Sequence, residues 1–153
     1  MKALNSVKFQ FPSKSVNEGF ARSTVAAFAA QLDPTLDEIA DLKTAVSEAV
    51  TNCIVHGYPE DIGVITITAS IYEGNTLRVV VADRGVGIEN VEKAMEPMYT
   101  TGGPERAGLG FAVMESFTDK MKVSSKPGKG TRVTMTKRMG SRENANHARG
   151  GEV

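Results

Sequence analysis

Cysteine is nearly absent: Cys53 is the only one in 153 residues. No intrachain disulfide is possible, and a reducing, cytoplasmic setting is expected. Cys53 itself falls on the apolar side of a helical pattern, where a free thiol packs as a small hydrophobe. Long apolar runs are absent too. None approaches the ~20 residues that cross a bilayer, so no membrane partner is expected. The opening segment MKALNSVKFQF has no apolar h-region and is not expected to act as a secretory signal. Charge of one sign is missing as well, since 18 basic residues balance 18 acidic ones. Non-specific nucleic-acid binding draws on a basic surface, so direct nucleic-acid contact is not expected. What remains is 41% apolar and 24% charged. That is a globular composition in the length of one domain, enough to bury roughly 68–70% of the unfolded surface.

The apolar pattern alternates between strands and helices. Val7, Phe9 and Phe11 repeat every second residue and predict a first strand, at a sheet edge, ended by Pro12. Ser15 and Glu18 have the spacing of a capping box. The helix they open carries Phe20, Thr24, Phe28 and Leu32 every four residues, with Val25 and Ala29 beside them. Asp33-Pro34 breaks it. Pro34 suits the first turn of a second helix, and Thr35 with Glu38 offers a second cap. That helix runs to about Val55 on a stripe of Ile39, Leu42, Val46, Ala49, Val50 and Cys53. GVITITASIY and TLRVVVAD, joined by Glu73-Gly74-Asn75, predict an antiparallel hairpin. A short helix over 90–96 follows, then a long loop, PMYTTGGPERAGLG. A helix begins in its last residues, GLGFAVMESFTDK, and KMKVSS and TRVTMTKRM close the domain as a hairpin. From Gly140 the chain is polar and aperiodic, which predicts one domain over 1–139 and a disordered tail over 140–153. The expected architecture is an α/β two-layer sandwich: a mixed, mostly antiparallel sheet with helices on one face.

Three polar elements interrupt this core pattern. In SEAVTNCIVHGY, Glu48 and Asn52 stand four apart, with His56 four further on, so all three line one side of the second helix. A carboxylate there suits a general base, and a carboxamide oxygen suits Mg²⁺. The second element is Asp83-Arg-Gly85-Val-Gly87 at a strand end. Its acid can accept from an exocyclic amine, and its glycines let backbone approach a flat ligand. The third is Thr100-Thr101 through Arg106 to Gly108-Leu109-Gly110. Bare amides at a helix start suit phosphate, and Arg106 suits a terminal phosphate. Each element also has a plain structural reading, as a solvated helix face, a turn or a loop. Two decoys fail. PGKGT lacks the P-loop spacing, and Gly85-Val-Gly87 lacks the third glycine of the dinucleotide fingerprint, since position 90 is Asn. His56 reads as a capping or packing residue.

Taken in order, the three elements resemble the N, G1 and G2 boxes of the GHKL superfamily of ATPases and kinases. The resemblance covers about residues 7–138. Within that superfamily, FARSTVAAFAAQLDPT at 20–35 and DEIADLKTAVSEAVTNCIVHGY at 37–58 are similar to the small bacterial anti-sigma serine kinases, nearer the sporulation type than the general-stress type.

The resemblance implies a Bergerat-type ATP-binding fold and binding of ATP or ADP with Mg²⁺. It implies that Asn52 ligates the metal and that Glu48 takes the proton of a substrate serine. Asp83 would bond the adenine amine beside Gly85 and Gly87, with Thr131 supporting the base. Thr100, Thr101, Arg106, Gly108, Leu109 and Gly110 would serve the phosphates. It further implies a homodimer that binds a sigma factor and phosphorylates an anti-anti-sigma protein, with Arg22 and, more weakly, Glu18 at the partner surface. The lid departs from the family pattern: GGPER stands where a lysine-bearing segment is expected. A histidine-kinase catalytic domain, a binding-only adaptor and a general-stress paralogue are the competing readings. No phosphoacceptor helix precedes residue 15, which disfavours the first. The Glu48, Asn52 and Asp83 set disfavours the second.

Overall fold

The structure is a computed structural model that describes residues 2–96 and 103–140, with only the helical backbone described over 103–108. In chain order the elements are β1 (Asn5–Pro12), α1 (Asn17–Ala29), α2 (Leu36–Asn52), β2 (Val64–Tyr72), β3 (Thr76–Asp83), α3 (Val91–Ala94), α4 (Gly103–Ser116), β4 (Lys120–Lys126) and β5 (Gly130–Arg138). The strands form one sheet in the order β1-β2-β3-β5-β4, so β1 lies at an edge as its sequence predicts. All four pairings are antiparallel, where a mixed sheet was expected.

Period-two alternation fixes which residues face the helices. Ile65, Ile67, Ala69 and Ile71 of β2 point inward with Leu77, Val79 and Val81 of β3 and Val133 and Met135 of β5. Ala45, Val46, Ala49 and Val50 of α2 meet them, as do Phe111 and Met114 of α4. Each larger aliphatic side chain buried here stabilises the fold by roughly 1.5–3 kcal/mol.

The helix starts and faces show where local spacing misleads. Thr35 caps α2 as predicted: its hydroxyl accepts from the Glu38 N–H at 3.1 Å, and the Glu38 carboxylate accepts from the Thr35 N–H at 2.8 Å. Pro34 precedes this cap and so lies outside the first turn. The box expected at Ser15 and Glu18 does not form. The residue before α1 is Val16, itself in a helical conformation, without a side-chain cap. Glu18 has a better partner across the groove, accepting from the Thr51 hydroxyl at 3.0 Å.

The buried line of α1 is Ala21, Val25 and Ala29 rather than the predicted Phe20–Thr24–Phe28 row. Small side chains let α1 lie against α2, and Phe20 turns outward to meet Phe9 edge-on at 6.0 Å. The last helix also starts earlier than expected, at Gly103 instead of Gly108, and ends at Ser116. At the domain's end Met139 is buried, and the Gly140 N–H donates to the Glu38 carboxylate at 3.0 Å. The predicted tail from 141 onward lies outside the described residues.

Candidate functional site

The site begins where α2 stops being an α-helix. After Asn52 the chain makes one wide π-turn, Cys53–Gly57, closed by the Tyr58 N–H donating to the Cys53 carbonyl at 2.9 Å. Turns of this kind inside helices are frequent at functional sites because they displace the following backbone sideways. Here the displaced backbone reaches the sheet, and the Val86 N–H donates to the Gly57 carbonyl at 2.9 Å.

Beneath that turn lies a cavity of about 190 Å³, lined by Asn52, Cys53, His56, Gly57, Asp83, Gly87, Thr131 and apolar side chains that include Val81, Ile88 and Phe111. Pockets that enclose a drug-sized ligand run to ~300–1,000 Å³, so this one is sized for a flat ring system whose remainder extends outward.

Asp83 is the acid at its floor. It continues the inward row Leu77, Val79, Val81, so alternation alone carries its carboxylate under the helix layer. It is 7% exposed. Its Oδ1 accepts from the Gly85 N–H at 2.9 Å and the Thr131 N–H at 3.2 Å. Thr131 stands directly opposite Asp83 in the β3–β5 register. Two backbone donors fix the carboxylate's rotation and hold its other oxygen beside Gly57. Burial pushes the Cys53 thiol well above its ordinary range, and the negative charge of Asp83 and a hydrogen bond to it add to the rise. That thiol is therefore a neutral donor to Asp83 and not a nucleophile. Burial likewise raises Tyr58, whose hydroxyl donates to the Val64 carbonyl and accepts from the Arg84 N–H at 2.7 Å, locking the strand end.

The two glycines after Asp83 are there for backbone contacts. A Cβ on Gly85 would stand 2.0 Å from the Gly57 carbonyl oxygen. Gly87 has φ +76°, and a Cβ there would stand 2.0 Å from the Lys126 carbonyl oxygen. Gly87 lines the cavity, whereas Gly85 is used in holding the turn against β3.

Glu48 and Asn52 converge at the opposite side, where α4 crosses α2. A Cβ on Gly110 would lie 3.1 Å from Glu48 Oε2 and 3.2 Å from both Asn52 amide atoms. A larger residue would press on both groups, which would have to shift by a few tenths of an ångström. The Asn52 Nδ2 is buried with no hydrogen-bond partner among the described residues. An unmet buried amide is costly, and it marks a place where a ligand completes the site. No three His, Cys, Asp or Glu side chains among the described residues converge on a metal position. A carboxylate and a carboxamide alone fit Mg²⁺, which keeps its waters and takes few protein ligands alongside phosphate oxygens.

The other residues singled out from sequence distribute as follows. Leu109 is 52% exposed and Gly110 is buried, both on α4. Arg106 and Gly108 lie in the helical stretch whose side chains are not described, and Thr100 and Thr101 lie outside the described residues. Arg22 and Glu18 pair at 3.6 Å on α1, away from the cavity. The sequence marks Phe111 only as a packing residue of the last helix, and it does not single out Gly57, Ile88 or Ser125. Their roles depend on which strands and helices meet, and no spacing in the chain signals that.

This fold, with an inward acid below a helix end and an amide and a carboxylate on that helix, is that of a histidine kinase-like ATPase domain, a nucleotide-binding class. The model of the histidine kinase-like ATPase domain family matches residues 11–137. The chain is 61% identical over 142 residues to the anti-sigma F factor of Thermoanaerobacter sp. strain X514, covering 92% of this chain and 99% of that protein. It is 58% identical over 135 residues to the anti-sigma F factor of Clostridium acetobutylicum, covering 88% and 94%. The chain belongs to the anti-sigma F factor family, a branch of the histidine kinase-like ATPases.

Among solved structures, the RsbU and RsbW domains of a Mycobacterium tuberculosis protein share the fold, with a TM-score of 0.64 and 21% identity over 88% of this chain and 32% of that one. A blue-light activated histidine kinase domain from Erythrobacter litoralis does so with a TM-score of 0.56 and 19% identity, over 88% and 64%. Among the described residues, no helix is long and apolar enough to cross a membrane.

Proposed function

We propose that this anti-sigma factor binds ATP and Mg²⁺ in the cavity under the π-turn and transfers the terminal phosphoryl group to a serine of an anti-anti-sigma protein. The observation that carries the proposal is the Asp83 carboxylate. One of its oxygens accepts from two backbone donors, and the carboxylate, which lines the cavity and also accepts from the Cys53 thiol, keeps acceptor capacity for a ligand amine. In this reading Asp83 accepts from the adenine amine, and Gly87 and Thr131 border the base. Asn52 supplies an oxygen to Mg²⁺, which when bound neutralises charge on the phosphates. Glu48, one helical turn before Asn52, accepts the serine hydroxyl proton at a carboxylate oxygen. Gly108, Leu109 and Gly110 serve the phosphates from α4, with Arg106, Thr100 and Thr101 on the lid side. Chemistry of this class rests mainly on positioning and charge stabilisation.

The sigma partner is of the F class, as the relatives' name implies; in this reading it is a sporulation sigma factor, and the working unit is a cytoplasmic homodimer. Arg22 and Glu18 present a charged surface on α1. Glu18 is tied to α2 through Thr51, the neighbour of Asn52, so the nucleotide and the partner act on connected elements. ATP favours the sigma factor, and ADP favours the dephosphorylated antagonist.

The test mixes purified protein with labelled ATP, Mg²⁺ and the anti-anti-sigma protein. Transfer to serine is expected, reduced at least 100-fold in Glu48→Gln and lost in Asn52→Ala. Tight ATP binding with no transfer would leave a binding-only adaptor. Transfer unaffected by Glu48→Gln would remove the assigned base.

A further inference from the structure

We propose that Ser125 on β4 sets the base selectivity of the cavity by fixing which way the Thr131 hydroxyl points its proton. The inference rests on the nucleotide reading of the cavity and names a specificity residue for it. One row crosses the sheet at the level of the floor: Ile65 on β2, Asp83 on β3, Thr131 on β5 and Ser125 on β4, each opposite the next.

A serine hydroxyl has one proton to donate and two lone pairs. Ser125 Oγ accepts from the Ile88 N–H at 2.7 Å, which uses one lone pair. It donates to the Gly130 carbonyl at 2.9 Å, which uses its proton, because a carbonyl only accepts. It also lies 2.8 Å from Thr131 Oγ1. With the Ser125 proton spent, that contact has one polarity: Thr131 donates and Ser125 accepts.

The consequence lies on the cavity side. Thr131 lines the cavity together with Asp83. With its proton turned to Ser125, Thr131 offers the cavity lone pairs only. The Asp83 carboxylate, held by two N–H donors, also only accepts. The polar edge of the floor is therefore an acceptor-only pair. With the exocyclic group of the base set on this pair, as the nucleotide reading assigns it, an amine finds two acceptors, whereas a carbonyl there finds no donor and faces acceptors; the ring N–H that accompanies that carbonyl lies one atom further along the edge. Ser125 does not line the cavity, so it acts through Thr131 as a positioning residue.

The experiment compares ATP with inosine triphosphate, which differs at this edge by a carbonyl in place of the amine and a proton on the neighbouring ring nitrogen. Binding of both is measured by calorimetry on the full chain. The native protein is expected to prefer ATP by about 100-fold or more, since an unmatched pair of buried polar groups costs several-fold to hundreds-fold in affinity. In Ser125→Ala the Thr131 proton is released and can turn to the carbonyl. Affinity for inosine triphosphate should rise about 5- to 10-fold in absolute terms while that for ATP does not rise, narrowing the ratio. Ser125→Thr, which keeps the hydroxyl, should restore the preference. Ser125→Ala combined with Thr131→Val should lose the gain. A gain in affinity cannot come from a damaged fold, so this readout separates selectivity from stability. Equal weakening of both nucleotides in Ser125→Ala would overturn the inference, as would a native protein that binds both equally. A native protein that binds neither would overturn the inference and the nucleotide reading together.

Discussion

Cys53 shows how one side chain carries both packing and site geometry. It is 5% exposed at the start of the π-turn that follows α2, and its thiol hydrogen-bonds to the acid on the cavity floor. Its folded ionisation lies above the ordinary value of 9.0, so the folded chain keeps the proton where the unfolded chain releases it. The stabilisation is complete below that ordinary value and is lost as pH rises toward the folded one. Denaturant melts between pH 8 and 10.5 should therefore show stability falling with pH, by up to about 1.4 kcal/mol per unit from this group. Tyr58 adds to the fall above its own ordinary value of 10.0. Cys53→Ala should make the alkaline decline shallower, and an unchanged slope would show that the thiol ionises freely. At this scale the sequence was partly legible. Glu48 and Asn52 stand out because a helix repeats every 3.6 residues, and Asp83 because it ends an apolar strand. Cys53 reads correctly as buried, but its contact with Asp83 requires knowing how the π-turn meets β3. Ser125 carries no local signal, since its meaning comes from a strand register.

Element by element, the packing of α4 on α2 sets up the clearest separation of stability from function. Gly110 sits in a helix interior, where alanine is favoured by roughly 1 kcal/mol. The added methyl would meet Glu48 and Asn52 side-chain atoms at 3.1–3.2 Å, closer than comfortable contact. Gly110→Ala should leave thermal stability unchanged or slightly raised while weakening binding of ATP and Mg²⁺ about tenfold or more. A variant that binds ATP normally would show that the two side chains have room to part. At Gly85 the same substitution meets backbone at 2.0 Å, which cannot yield without moving β3 from the π-turn. Gly85→Ala should cost about 1–3 kcal/mol or more in a denaturant melt. These elements were unequally readable. The Thr35 box and the strands were plain from spacing. The α1 face was misjudged because two adjacent lines of a helix both carry apolar residues, and only the α2 surface decides between alanine and phenylalanine. The start of α4 was placed five residues late because Gly103, Pro104 and Gly108 read as loop. A proline in the first turn of a helix gives up an N–H that has no partner there.

Across the described residues, one antiparallel sheet and a single layer of helices bring Asn52, Asp83 and Thr131 to one cavity, with Glu48 and Gly110 meeting beside Asn52. These positions lie far apart in the chain, and the β3–β5 pairing, which joins Asp83 to Thr131, supplies the closure. The order of the three polar elements was legible from sequence because the family resemblance preserves it. Their convergence was not, since it depends on strand order and register. A ligand that binds only the folded form raises its stability by about 2.7 kcal/mol at a hundredfold excess over the dissociation constant. The measurement that bears most directly on this account is a calorimetric titration of ATP with Mg²⁺ into the native chain and into Asp83→Asn. Asparagine keeps an oxygen for the Gly85 and Thr131 donors but turns an N–H₂ toward the ligand amine. The account predicts one ATP per chain, weakened at least tenfold in the variant at unchanged fold stability. Equal affinity in both proteins, or no binding to the native chain, would contradict it.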